Sequence, residues 1–173
     1  EDFQKAVEKL GLFYPPDPAS LRFSTLGGNV AENAGGPRCV KYGVTKDFVM
    51  GLEVVLPTGE IIRTGTETYK AVVGYDLTRL LCGSEGTLGV ITKIIFKLLP
   101  LPEAKKTMLT IFDSIDGADK AVSTIIGAKI IPTTLEFMDY ATLQSVEKRF
   151  SLGVHPEGRA VLLIEVDGEP DRK

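Results

Sequence analysis

The sequence predicts an α+β protein in two successive parts. Three observations lead there. Of the 18 glycines, 12 fall between Gly27 and Gly89, so unusual backbone conformations are concentrated in one stretch. That stretch also carries β-forming runs punctuated by turn residues. From Lys105 onward the glycines thin out, and strand-type and helix-type patterns alternate.

The elements follow in order. Phe3, Ala6, Val7 and Leu10 repeat at helical spacing, with Asp2 placed to cap the start and Gly11 to end the helix. Pro15, Pro16 and Pro18 force residues 12–18 to be extended. Residues 26–43 read as turn-rich, with two Gly-Gly pairs. Residues 48–56 and 60–64 read as strands joined by a short hairpin at Pro57-Thr58-Gly59. Residues 76–81 suit a short helix leading into Gly83-Ser84-Glu85-Gly86-Thr87-Leu88-Gly89. Residues 90–99 are strongly β-forming and stop at Pro100 and Pro102.

A boundary is expected near residues 101–105. Beyond it, residues 108–112 form a strand. Ala118, Ala121, Val122, Ile125 and Ile126 mark one face of a helix, with Asp116 before it and Gly127 after it. Residues 134–138 form a second strand, and Asp139 caps a helix carrying Leu143, Val146 and Phe150. Residues 159–166 are β-rich. This order opens a small α+β sandwich that the sequence does not close.

Composition narrows the function classes. With 43% hydrophobic and 25% charged residues in 173, the chain is of the ordinary globular kind, with room for one domain or one and a half. A net charge of -3 offers no attraction for nucleic acid or an anionic membrane. No apolar run approaches the roughly 18–20 residues that span a bilayer. No signal peptide is visible, and the chain begins without methionine, so its start need not be the natural one. Cys39 and Cys82 form no CxxC and suggest no disulfide framework, which points to a reducing, cytoplasmic setting.

Two segments could carry chemistry: residues 15–29, with PPDPAS and Thr25-Leu26-Gly27-Gly28-Asn29, and residues 83–89. Gly-Gly turns can aim successive N–H groups into one anion-binding concavity. Ser20, Thr25, Asn29, Asn33 and Thr87 could add neutral hydrogen bonds without burying a charge. Taken singly, each segment reads more simply as a hairpin turn. No GxGxxG follows a strand and no GxxxxGK[ST] occurs, which excludes those two nucleotide fingerprints. The residues by themselves stop at a glycine-lined anion or nucleotide site.

The run FSTLGGNVAENAGGPRCVKYGVTKDFVMGLEVVLPTGEIIRTG, followed by GYDLTRLLCGSEGTLGVITKIIFKLLPLPE, resembles the vanillyl-alcohol-oxidase-type FAD-binding domain. More narrowly it is similar to the glycolate oxidase flavin subunit and its D-lactate and D-2-hydroxy-acid dehydrogenase relatives. The resemblance covers residues 12–103 closely. It implies the second half of a VAO/PCMH-type FAD-binding domain over residues 1–103, then the start of a ferredoxin-like α+β cap domain over residues 104–173.

The resemblance also implies a site. Pro16, Asp17 and Ser20, with Thr25, Gly27, Gly28 and Asn29, would run beside the FAD diphosphate and ribityl chain. Ala31, Asn33, Ala34 and Gly35 would continue that wall, with Tyr42 and Gly43 near the isoalloxazine end. Glu85, Gly86, Gly89, Val90 and Ile91 would line the adenosine and diphosphate side. The implied activity is oxidation of a small 2-hydroxy acid by hydride transfer to FAD, in a cytoplasmic protein or one peripheral to the inner membrane. Electron-accepting iron–sulfur or flavin subunits are the implied partners. The alternatives are the same fold acting on another alcohol, or a non-catalytic anion-binding module.

Family members also carry an earlier half-domain with a further glycine-rich loop, and a histidine-rich catalytic and metal-binding segment late in the cap, beyond Lys173. No catalytic or metal-binding residue is therefore assigned here. Cys39 is read as a plain loop cysteine rather than a covalent flavin attachment, and His155 as a loop residue without a second histidine at ligand spacing. Glu136, Asp139 and Glu147 read as caps and a solvated helix face.

Overall fold

The computed structural model describes residues 1–150 and 159–169. His155 lies outside them. The chain divides into two compact units, Glu1–Gly36 with Tyr42–Leu101, and Pro37–Lys41 with Pro102–Lys173.

In the first unit, α1 (Asp2–Glu8) buries Gln4 and Val7, one turn apart on one face. Its N-cap is Glu1, which makes no side-chain cap bond, and Asp2 lies inside the first turn. The expected cap at Asp2 is thus corrected by one residue; a carboxylate there still faces the positive end of the helix. The strand β1 (Leu12–Phe13) is followed by α2 (Leu26–Glu32), by α3 (Cys39–Tyr42), of which only Tyr42 belongs to this unit, and by a 3-10 turn at Thr45–Asp47. Next come β2 (Val49–Val55), β3 (Ile61–Gly65), α4 (Leu77–Leu81), β4 (Val90–Phe96) and β5 (Leu99–Pro100). The middle sheet is antiparallel in the order β3-β2-β4, while β1 pairs with β5.

Two apolar clusters hold this unit. Val30, Leu52, Val54, Leu81 and Cys82 form one, between α2, α4 and the sheet. Val7, Tyr14 and Phe48 form the other, with Phe3 and Leu12 packed on it. Phe96 packs against both. Burial of such side chains stabilises by about 1.5–3 kcal/mol each. On the other face of β2, Glu53 gathers Arg63, Thr92 and Lys93 from the strands on either side.

The second unit runs β6 (Ala104–Phe112), α5 (Ile115–Gly127), β7 (Thr134–Asp139), α6 (Tyr140–Phe150) and β8 (Ala160–Gly168). The strand order is β6-β8-β7, with β8 antiparallel to both neighbours. β6 and β7 therefore run parallel through α5 with β8 inserted between them, the split βαβ of ferredoxin-like folds. Ser114 caps α5, its hydroxyl accepting the Gly117 N–H at 3.0 Å. The sequence pattern places Asp116 before the helix; in the structure Asp116 sits in its first turn. Asp139 caps α6 through the Thr142 N–H at 2.8 Å. Ala118, Leu143, Val161 and Leu162 are buried in its core.

The segment Pro37–Lys41 belongs to this second unit. Lys41 reaches the end of β8, where its ammonium donates to the Asp167 carbonyl at 2.9 Å and pairs with the Asp167 carboxylate. Thr133 Oγ1 donates to the same carboxylate at 2.5 Å.

Candidate functional site

The two glycine-rich segments meet at α2. Thr25 takes extended backbone geometry, and its Oγ1 accepts the Gly28 N–H at 3.0 Å, capping the helix. Residues 25–29 are therefore not a free Gly-Gly turn, as their composition suggested, but the cap and first turn of a helix. Leu26 and Val30 carry the helix into the two apolar clusters, which outweighs the poor helical propensity of two glycines. The helix ends at Asn33 in the left-handed region (φ 51°).

The C-terminal carbonyls of α2 are then taken by the second segment. The Gly83 N–H donates to Val30 O at 3.0 Å and the Glu85 N–H to Ala31 O at 2.9 Å. Residues 84–87 close a tight turn, Thr87 N–H donating to Ser84 O at 2.9 Å, with Glu85 (φ 52°) and Gly86 (φ 73°) both left-handed. Nothing lies within 4 Å of where a Gly86 Cβ would stand, so that backbone faces open space. The left-handed conformation costs Glu85 about 1–2 kcal/mol.

The remaining site residues fall into two groups. Pro16, Asp17, Asn33, Ala34, Gly43 and Gly89 are engaged within the fold, and Pro16 lines a cavity as well. Pro16 O accepts from the buried Gln4 side chain at 2.8 Å. The Asp17 backbone lies where a Gly36 Cβ would stand, which binds the PPDP stretch to the segment after α2. Asn33 Oδ1 accepts the Lys46 N–H at 2.9 Å, and Ala34 O accepts the Thr45 hydroxyl at 2.7 Å. Gly43 (φ 84°) lies under the Asp47 side chain, and a Gly89 Cβ would press on Val55 O at 2.8 Å. These two glycines are required by the chain's own packing. Tyr42 sets its ring edge-on to Phe13, 5.5 Å between centroids.

The second group faces accessible space. Gly27 and Ile91 share a groove of about 310 Å³ with Phe3 and Phe96, and Val90 is 66% exposed beside it. Pro16 and Asn29 line a cavity of about 240 Å³ together with Gln4, Tyr14, Arg22 and Ser24, which the sequence did not single out. Ser24 Oγ is buried without a hydrogen-bond partner among the described residues. Ser20, Ala31 and Gly35 lie along the same stretch, Ser20 exposed and the other two half-buried. An orphaned hydroxyl in a polar cavity, beside a helix start whose Leu26 and Gly27 N–H groups have no intrahelical acceptor, suits the sugar and phosphate oxygens of FAD. The residues present fit that cofactor.

Neither buried ionisable group nearby has nucleophilic character. Burial pushes the Tyr14 phenol up to about 12. The Thr45 hydroxyl opposes the shift weakly, being donated to Ala34 O, and Tyr14 Oη has no hydrogen-bond partner. Burial likewise raises the Cys82 thiol to about 11, so at neutral pH it is a small apolar group. Among the described residues no group of three His, Cys, Asp or Glu side chains could hold a metal.

Two family models match the chain. Residues 1–65 match the FAD binding domain, and residues 101–173 match the C-terminal domain of FAD linked oxidases. Over these two stretches the chain is similar to FAD-linked oxidases. It is 59% identical over 167 residues to glycolate oxidase subunit GlcD of Bacillus subtilis (strain 168), covering 96% of this chain and 36% of that protein. It is 40% identical over 178 residues to D-lactate dehydrogenase of Anaerostipes hadrus, covering 99% of this chain and 37% of the relative. A solved alkyldihydroxyacetonephosphate synthase superposes with a TM-score of 0.78 at 26% identity, over 97% of this chain and 33% of that one. The chain thus spans about a third of the length of the relatives it matches.

Proposed function

We propose that the protein containing this chain is an FAD-dependent oxidoreductase that oxidises a small 2-hydroxy acid, of the glycolate or D-lactate type, to the 2-oxo acid. The observation that carries this reading is the 59% identity over 167 residues to a glycolate oxidase subunit, and the junction of α2 with residues 83–87, which brings two glycine-rich segments together, supports it. We assign residues 1–103 to the flavin-binding side and residues 104–173 to the substrate side. Pro16, Asp17, Ser20, Thr25, Gly27, Gly28, Asn29, Ala31, Asn33, Ala34 and Gly35 form one wall of the cofactor site. Tyr42 and Gly43 stand toward the ring, and Glu85, Gly86, Gly89, Val90 and Ile91 form the opposite wall.

Bound FAD supplies the acceptor for the hydride that leaves the α-carbon. The chain's own part is to hold and orient: backbone N–H groups and neutral hydroxyls for the sugar and phosphate oxygens, apolar side chains of the groove for the flat rings. Iron–sulfur or flavin subunits are the partners proposed to carry electrons onward, in the cytoplasm or at the inner membrane surface. No described helix is long and apolar enough to cross a membrane.

A second reading keeps the cofactor and changes the substrate. The similarity to alkyldihydroxyacetonephosphate synthase favours it, because a protein of that name shares this fold. Anaerobic mixing of the full-length, FAD-loaded protein with glycolate, D-lactate, L-lactate and an aryl alcohol separates the two. Bleaching of the flavin band by glycolate or D-lactate supports the first reading. Bleaching by the aryl alcohol alone replaces it with the second, and a colourless protein that takes up no FAD removes both.

A further inference from the structure

The stretch Tyr14-Pro15-Pro16-Asp17-Pro18 is hard to hold by its own backbone. Three of its five residues are prolines without an N–H, so carbonyls are most of what it offers a partner. Its start is anchored by a side chain. Tyr14 is 2% exposed, and its ring packs among Phe3, Phe48 and Phe96 at centroid distances of 5.3, 6.1 and 4.7 Å.

The carbonyls are answered from α1. The Gln4 side-chain amide donates to Pro16 O at 2.8 Å and, at a longer 3.4 Å, to Tyr14 O. Both Nε2 protons are thereby used on one stretch of backbone. Gln4 is buried on the same helix face as Val7, so helix packing fixes where the amide stands. An amide enclosed in this way is costly unless it is paired, and its pairing goes to the backbone that leads into Asp17. Gln4 also lines the cavity of about 240 Å³ that it shares with Pro16, Ser24 and Asn29.

We propose that Gln4 is a positioning residue for FAD. It holds the Pro16 carbonyl, and through it the Pro16-Asp17 backbone, in the geometry that the cofactor meets. This role rests on the assignment of Pro16 and Asp17 to the cofactor wall. A glutamine that only filled space would be replaceable by an apolar side chain of similar size with no effect on FAD.

The test uses the full-length protein freed of flavin, with FAD affinity read by flavin fluorescence and thermal unfolding run on the same samples. Gln4→Leu keeps the bulk and removes the donor, and is expected to weaken FAD binding about tenfold in protein that is still folded. Gln4→Glu separates positioning from packing. An ionised carboxylate only accepts and cannot hold Pro16 O, whereas a protonated one donates again. Burial without a partner favours the protonated form. Gln4→Glu should therefore bind FAD as weakly as Gln4→Leu at about pH 8 and recover toward wild type as the pH falls to about 5.

Glu1, Asp2 and Arg22, the charged groups lining the same cavity, are common to all three proteins, so wild type and Gln4→Leu supply their baseline. The Tyr14 phenol, pushed up to about 12 by burial, stays protonated throughout. Should Gln4→Leu fail to fold, the pH dependence of Gln4→Glu decides alone. Equal FAD affinity of wild type and Gln4→Leu overturns the positioning role, as does a Gln4→Glu affinity that fails to recover in acid, and both leave the flavin reading standing. Wild-type protein that takes up no FAD overturns the flavin reading itself, and this role with it.

Discussion

The Glu85 N–H donates to the carbonyl of Ala31 at 2.9 Å, which fastens the turn at residues 84–87 to the last turn of α2. Helix C-termini leave carbonyls unsatisfied unless something outside the helix answers them. Here the donors come from a glycine-rich segment far along the chain. One contact therefore completes the helix and assembles the candidate cofactor wall. It also holds Glu85 in a conformation that side chains other than glycine seldom adopt.

Glu85→Gly should accordingly stabilise the protein by about 1 kcal/mol, since glycine meets no steric opposition at positive φ. Glu85→Gln should leave stability unchanged, because it retains both the strain and the backbone bond. Urea midpoints of the two variants against wild type check this. A lower midpoint for Glu85→Gly would mean that the side chain, rather than the backbone, secures the turn.

Gly27 and Gly89 offer a contrast that separates fold from ligand. A Gly27 Cβ would meet Ile91 O at 3.9 Å, an ordinary contact, inside a helix that alanine favours. A Gly89 Cβ would meet Val54 Cγ1 at 2.7 Å and Val55 O at 2.8 Å. Gly27→Ala should keep or raise the melting temperature and lose FAD affinity if the groove holds the cofactor. Gly89→Ala should lower the melting temperature with or without FAD. Flavin fluorescence titration and thermal unfolding, measured on the same samples, decide. Unchanged FAD affinity in Gly27→Ala would remove Gly27 from the site.

Much of this arrangement was legible in the sequence where the signal is local. The β2–β3 hairpin around Gly59, the short helix α4 and the Asp139 cap of α6 each depend on residues within a few positions. What escaped is non-local or overridden. Strands β1 and β5 have two residues each, too few to show a period, and exist only through their mutual pairing. The Gly27-Gly28 pair reads as a turn until Thr25 caps it and Val30 enters the core. Of the candidate site, the two glycine-rich walls were visible. Ser24 and Gln4 were not, since neither residue type stands out until the fold encloses a cavity around it. The meeting of Lys41 with Asp167 had no trace in the sequence at all.

That pair supports a third prediction. The Asp167 side chain is only 4% exposed, and Lys41 supplies its counter-charge while Thr133 supplies one hydrogen bond. Lys41→Met would take this counter-charge from a nearly buried carboxylate and should destabilise by about 3 kcal/mol. Adding Asp167→Asn should recover most of that loss by removing the charge as well. Chemical unfolding of the single and double variants gives the coupling. Equal stability of Lys41→Met and wild type would show that the pair contributes nothing.

The last prediction concerns acid. Glu53 lies on the central strand β2 and takes Lys93 and Arg63 from the strands on either side, at 3.1 Å each, with the Thr92 hydroxyl also at 3.1 Å. The hydrogen bond from Lys93, followed by those from Arg63 and Thr92, holds its carboxyl below the ordinary 4.5, against the opposing effect of desolvation. The sign follows from linkage. A carboxyl with a lowered folded-state pKa binds its proton less readily than in the unfolded chain. Its stabilisation is fully present above the ordinary value and is lost as pH falls through the lowered one. Glu53→Gln should therefore be less stable than wild type at neutral pH, and the difference should shrink below pH 4.5 as the wild-type carboxylate takes up its proton. Lys93→Met should shrink it in the same window, because the cation's contribution depends on the same charge. Urea midpoints measured from neutral pH down to about pH 3 trace both curves. A gap between wild type and Glu53→Gln that stays constant over that range would show that the carboxylate acts by shape and packing, and that its charge does not tie the three strands together.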